Sequence, residues 1–175
     1  ALGPAIEAWS VIERQRIPDE RELQQLKPLV DWTRIQVNKE ARTIYLPHKG
    51  MRIDVGGIGK AYAADRAVAE MKRVGVMGGV VALSGDIKAF GVLPDRKGFP
   101  VGIKHPRREE ELIAMIDLSD EAVSTAGDYE RFFERDGVRY HHILDPQTLH
   151  PAEACQSVTV IAKEGTMADG LDTGI

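Results

Sequence analysis

The spacing of apolar positions changes several times along the chain. Within residues 1–31, PDERELQQLKPLV opens at Pro18-Asp19 and places Leu23, Leu26 and Val30 along one side, a helical spacing. This first stretch is expected to be mainly helical. Two short runs, RIQVNK and TIYLPH, predict strands joined by a polar turn around NKEAR. MRIDV predicts a further strand that runs into a glycine cluster. The spacing returns to helical over residues 60–74, where Ala64, Val68 and Met71 share a face and Lys72, Arg73 and Gly75 form a stop.

After Gly75 the pattern turns to sheet. GGVVALSGDIKAFGV predicts a strand interrupted at Ser84-Gly85-Asp86, and FPVGIKHP and ELIAMIDL predict two more around the charged RREE connection. AVSTAGD ends another strand in small polar residues. RFFERDGVRYHHILDP predicts a hairpin, because Asp136-Gly137 is a strong tight-turn pair between strand-like runs. QSVTVIA is the last predicted strand and GTMADGLDTGI the last predicted helix. Helices stand between groups of strands without strict βαβ alternation, so an α+β fold is expected rather than a doubly wound parallel sheet.

Composition narrows the partners more than the fold. The 175 residues suffice for one sizeable domain with a real core. A net charge of −4 argues against a nucleic-acid partner held through phosphates. It leaves room for a small anionic ligand at a locally positive site. The single cysteine, Cys155, excludes an internal disulfide and a cysteine-cluster metal site, and its place before SVTVIA favours a buried structural role. No apolar run reaches transmembrane length, and no signal peptide is present. The chain starts without methionine and stops inside a predicted helix, so it is expected to be part of a longer protein, with any targeting signal in the missing ends.

IDVGGIGKAYAADR, residues 53–66, carries the first candidate chemistry. It fits neither G-x-G-x-x-G, since Tyr62 stands at the third glycine, nor the Walker A loop, since Asp54 and Ala61 replace its first glycine and its hydroxyl. Gly56, Gly57 and Gly59 still allow close backbone approach, and the helix start suits a phosphate. An ordinary strand-to-helix turn with packing glycines fits the same residues.

Four other clusters could act with it. Ser84-Gly85-Asp86 and Ser124-Thr125-Ala126-Gly127-Asp128 each combine hydroxyl, glycine and carboxylate. Each alone reads as a turn, but two of them beside a Gly-Lys loop favour a binding site. His141 and His142 point to opposite faces of a strand, so at most one faces a given site, and histidine suits proton transfer near neutral pH. A satisfied structural histidine remains the alternative. Asp145 follows His142 by three positions. Asp169 and Thr173, four apart, share a helix face and offer the hard oxygens that Mg²⁺ prefers, though capping or a solvated face would use the same pair. Asp172 is expected to point elsewhere.

Taken together, RIDVGGIGKAYAADR, LSGDI, AVSTAGDYERFF, YHHILDPQT and SVTVIA…MADGLDT resemble, in order, the motifs of the ApbE family, the FAD:protein FMN transferases. GPAIEAW at the start is similar to an earlier helix of that family. The resemblance implies a T-fold-like α+β domain of antiparallel sheets and packed helices, here a single domain over residues 1–175 that is incomplete at both ends. It implies a Mg²⁺-dependent enzyme that cleaves FAD, attaches FMN to a threonine of a target protein such as a redox-complex subunit, and releases AMP. An FAD pyrophosphatase and a non-catalytic FAD-binding protein are the alternatives. It also implies export and a lipid anchor outside this chain, giving a periplasmic or extracytoplasmic location.

Carried over by position, the resemblance makes Asp169, Thr173 and the Gly59 carbonyl metal ligands. Gly57, Lys60, Tyr62 and Asp65 fall in the flavin-binding loop and helix, and Ser84, Gly85, Asp86, Ser124, Thr125 and Asp128 line the nucleotide pocket. His142, or a carboxylate such as Asp145, takes the acceptor's proton. Three positions depart from the family pattern. Gly59 replaces alanine, Ser84 replaces the first glycine of G-G-D, and Leu149 replaces the glycine that ends D-P-x-T-G, so that last turn is expected to differ.

Overall fold

The helical spacing of residues 1–31 becomes two short helices in the computed structural model, α1 (Gly3–Trp9) and α2 (Glu20–Leu26). They are followed by β1 (Gln36–Asn38), β2 (Thr43–Tyr45), α3 (Gly59–Arg73), β3 (Gly79–Leu83), β4 (Asp86–Phe90), β5 (Phe99–Lys104) and β6 (Leu112–Leu118). The chain ends through β7 (Ala122–Gly127), β8 (Phe132–Arg135), β9 (Val138–His141), β10 (Ser157–Ala162) and α4 (Gly165–Asp172). The structure describes residues 1–91, 93 and 97–175; Val92, the end of the predicted GGVVALSGDIKAFGV strand, lies outside them. Every strand pairing between these elements is antiparallel, as the α+β expectation requires.

Two compact units divide the chain. The first comprises residues 1–54 and 128–154. Asp19 caps α2 by accepting the Glu22 N–H at 2.9 Å, which stops the helix from extending back through the preceding proline. Trp9 and Leu23, both fully buried, pack with Ala5, Val30, Phe133, Leu144 and Leu149 to form its core. The Trp9 indole N–H donates to the Leu149 carbonyl at 2.7 Å, so this polar edge is satisfied inside the core. β8 and β9 form the predicted hairpin, and both turn residues, Asp136 (φ +54) and Gly137 (φ +77), take left-handed backbone.

MRIDV is not a strand. Residues 51–55 carry no strand assignment and pair with none of the described strands, so the alternating pattern has no ladder to join. Leu149, in the turn after Asp145, adopts φ +64, a left-handed conformation that glycine takes more readily, and its fully buried side chain offsets the cost by packing in the core. Cys155 is exposed, because the chain reaches β10 only at Ser157.

The second unit comprises residues 55–127 and 155–175. Its four-stranded sheet has the order β10-β7-β4-β3. The predicted interrupted strand is a hairpin, β3 to β4, that turns at Ser84-Gly85 with Leu83 opposite Asp86. β5 and β6 pair as a ribbon, and Val101 and Leu118 from it pack with Ala89 and Val123 of the sheet. α3 lies against β3 and β4, α4 lies against β7 and β10, and the two helices pack on each other. Ala61, Ala64 and Val68 are the buried face of α3. Small residues there let α4 come close.

Candidate metal centre

Three carboxylates converge inside the second unit. Asp86 opens β4, while Asp169 and Asp172 lie one turn apart near the end of α4. Each presents an oxygen within 4.8 Å of the other two, and all three residues are buried. Ser124 of β7 stands between them, its hydroxyl 2.5 Å from Asp86 Oδ1 and 2.6 Å from Asp172 Oδ2. A hydroxyl has one proton. It can donate to only one of the two carboxylates at a time.

Further groups close the cluster. The Lys60 ammonium, at the start of α3, pairs with Asp86 Oδ2. Thr173, which ends α4, donates to Asp172 Oδ1 at 3.0 Å. A Cβ placed on Gly57 would lie 3.4 Å from Thr173 Oγ1, so the glycine loop and the end of α4 are in close contact. Asp169 Oδ2 is buried with no hydrogen-bond partner.

The electrostatics follow from this crowding. Burial, together with the charges of Asp86 and Asp172, pushes the Asp169 carboxyl up to about 6, against the opposing pull of Lys60 and the Ala61 N–H. Asp172 is also raised, chiefly by burial, while hydrogen bonds from Ser124 and Thr173 oppose the shift. Buried negative charge with an unsatisfied oxygen fits a hard divalent cation, which oxygen ligands hold. Asp86, Asp169 and Asp172 are the residues that could hold one.

Asp172, expected to point elsewhere, is instead a member of the cluster. Positions 169 and 172 are three apart and share a helix face with 173. That spacing was the available signal.

The other candidate residues distribute as follows. In the second unit, Gly59 is the first residue of α3, Tyr62 is exposed on its first turn, and Ser84 and Gly85 form the exposed β3–β4 turn. Thr125 Oγ1 lies 2.9 Å from Thr159 Oγ1 across β7 and β10. Asp65 turns both carboxylate oxygens to the start of α4. Asp128, His142 and Asp145 belong to the first unit. There Asp128 lies 3.8 Å from the Arg139 guanidinium, and Asp145 accepts the Gln147 N–H at 2.7 Å.

A family model described as the ApbE family matches residues 1–175. The chain belongs to the ApbE family. It is 34% identical over 189 residues to the FAD:protein FMN transferase of Treponema pallidum, covering 99% of this chain and 52% of that protein. Against the FAD:protein FMN transferase of Escherichia coli K12 the identity is 29%, with 99% and 52% covered. Among solved structures, the ApbE protein of Thermotoga maritima superposes with a TM-score of 0.91 at 36% identity, over 98% of this chain and 56% of that one. The flavin transferase ApbE of Vibrio cholerae gives 0.84 at 27% identity, over 99% and 56%. The chain therefore spans about half the length of the relatives it matches.

Two ApbE-pattern departures are readily accommodated. A Cβ on Gly59 meets nothing within 4 Å, so glycine and the family's alanine both fit there. Ser84 holds φ +59, which the usual glycine adopts without strain. The turn keeps its glycine-type backbone with a serine in it.

Proposed function

We propose that the chain carries the FAD site and metal centre of a Mg²⁺-dependent FAD:protein FMN transferase. The observation that supports this most is the buried Asp86–Asp169–Asp172 cluster, with its unpartnered Asp169 oxygen, in a member of the ApbE family. Asp169, Thr173 and the Gly59 carbonyl are assigned as Mg²⁺ ligands, together with Asp86 and Asp172, whose carboxylate oxygens lie within 4.8 Å of that of Asp169. Bound Mg²⁺ would neutralise and align the pyrophosphate of FAD.

The chain's own groups do the rest. Lys60 offers a cation to the phosphates, and Gly57 lets the backbone come close. Tyr62, Ser84, Gly85, Thr125 and Asp128 are assigned to the flavin and nucleotide, with Ser124 fixing the carboxylates behind them. The acceptor threonine Oγ bonds to the FMN phosphorus, the P–O bond to AMP breaks, and AMP leaves with the bridging oxygen. The threonine proton passes to His142 Nε2, with Asp145 the second candidate acceptor.

The state of His142 supports that assignment. Its Nδ1 lies 3.2 Å from the Arg131 carbonyl, which can only accept, so Nδ1 carries the proton and Nε2 keeps a lone pair. Burial first, with the charges of Arg131 and His141, lowers its pKa below the usual 6.5, which keeps the ring neutral at pH 7. The target is a redox-complex subunit with an exposed threonine. The reading includes an extracytoplasmic location with a lipid anchor; no helix among the described residues is long and apolar enough to cross a membrane.

The test is incubation with FAD, Mg²⁺ and a threonine-bearing acceptor, following AMP and the fluorescence of the denatured acceptor band. A fluorescent band supports transfer. AMP without one makes the protein a pyrophosphatase, and bound FAD without AMP makes it a flavin-binding protein. His142→Ala should still bind FAD and lose transfer; transfer at wild-type rate would remove His142 from the mechanism.

A further inference from the structure

α4 carries Asp169 and Asp172 but does not cap itself. Glu164 stands at its N-cap with no side-chain cap bond. The first turn is held instead from α3. Asp65 Oδ1 accepts the Gly165 N–H at 2.8 Å, and Oδ2 accepts both the N–H and the hydroxyl of Thr166, each at 2.8 Å. Three donors converge on one carboxylate. Its pKa is accordingly lowered: burial raises it, but the bonds from Thr166 and Gly165 outweigh burial.

Gly165 itself has no room for a side chain: a Cβ there would stand 3.1 Å from the Ala61 carbonyl oxygen and from Asp65 Oδ1. Asp169 follows four residues after Gly165, one turn further along α4. The start of α4 is thus held on α3 by three hydrogen bonds to Asp65, with the close approach fixed by a glycine. The helix cannot slide there without breaking those bonds.

We infer that Asp65 is a positioning residue, which fixes the height of α4 on α3 and so sets Asp169 and Asp172 opposite Asp86 for the cation. This rests on the proposed role of the acid cluster as the metal centre. Asp65 acts through α4, and its oxygens are engaged by that helix rather than turned to a ligand. Preorganised ligands bind a cation more tightly than ones that must be gathered.

The experiment is Mn²⁺ binding followed by electron paramagnetic resonance, with denaturant unfolding on the same samples. The variants are Asp65→Ala, Asp65→Asn, Thr166→Val and Asp169→Asn. Asp65→Ala should weaken Mn²⁺ binding about tenfold or more, the range for second-layer partners of metal ligands. Thr166→Val keeps the Asp65 charge and removes one of its bonds, so a smaller loss, about threefold, should remain. That variant also covers the case in which Asp65→Ala fails to fold, and Asp65→Asn should fall between the two. Variants that unfold more easily but bind Mn²⁺ within twofold of the wild type overturn the inference and leave Asp65 a simple helix cap. A wild type that binds no Mn²⁺, or an Asp169→Asn variant that binds as well as wild type, overturns the metal reading itself.

Discussion

Asp86 and Asp169, from a strand and a helix 83 positions apart in the chain, bring carboxylate oxygens within 4.8 Å of each other inside the second unit. Two buried like charges at that distance oppose ionisation of both. Without a cation the arrangement therefore works against folding at neutral pH. That tension is the origin of the first prediction.

The Asp169 carboxyl is raised to about 6 in the folded protein from an ordinary 3.8. Its folded form prefers the proton, so its contribution to stability is present at pH 4 and is lost as pH rises through about 6. The loss is on the order of 2–3 kcal/mol at neutral pH, and Asp172 acts in the same direction. Denaturant unfolding in chelator should show stability falling between pH 4 and pH 7. Added Mg²⁺ should restore it, and by more as pH rises.

Asp172→Asn removes one of the three charges while keeping its size. Stability in chelator at neutral pH should rise, and Mg²⁺ should stabilise the variant less than it stabilises the wild type. Unfolding midpoints with and without Mg²⁺ measure both effects.

Two left-handed residues should respond oppositely to glycine. Ser84 is exposed at φ +59, so Ser84→Gly should stabilise by about 0.5–1 kcal/mol. Leu149 has φ +64 but is fully buried, so Leu149→Gly relieves strain and empties part of the core. The net change should be a loss of about 2–4 kcal/mol. Equilibrium unfolding gives both signs.

Asp65 holds α4 as an anion. Its folded pKa is lowered, so its contribution is present above the unfolded value near 4 and is lost as pH falls through the folded value. Asp65→Ala should cost about 1 kcal/mol or more at neutral pH. The difference from wild type should shrink in acid, as measured by unfolding at pH 3 and pH 7.

Legibility in the sequence followed the range of the forces involved. α3, α4 and the Asp136-Gly137 hairpin depend on local spacing and turn chemistry, and those signals lie within a few residues. MRIDV failed because a strand needs a neighbour, and alternation cannot report one. The left-handed backbone at Leu149 has no local signal, because a core contact, Trp9 to the Leu149 carbonyl across 140 positions, holds a backbone that leucine alone disfavours. Asp172 needed only the helical repeat, which placed it beside Asp169. The bonds from Asp65 to α4 span 100 and 101 positions, and no local pattern announces them.

Calorimetric titration of Mg²⁺ into the chelator-treated protein at pH 7.5, wild type against Asp169→Asn, tests the central claim that the acid cluster is a divalent-cation centre. Saturable binding by the wild type, lost or weakened at least tenfold in Asp169→Asn, is the predicted result. Equal binding by both proteins, or none by the wild type, would contradict it.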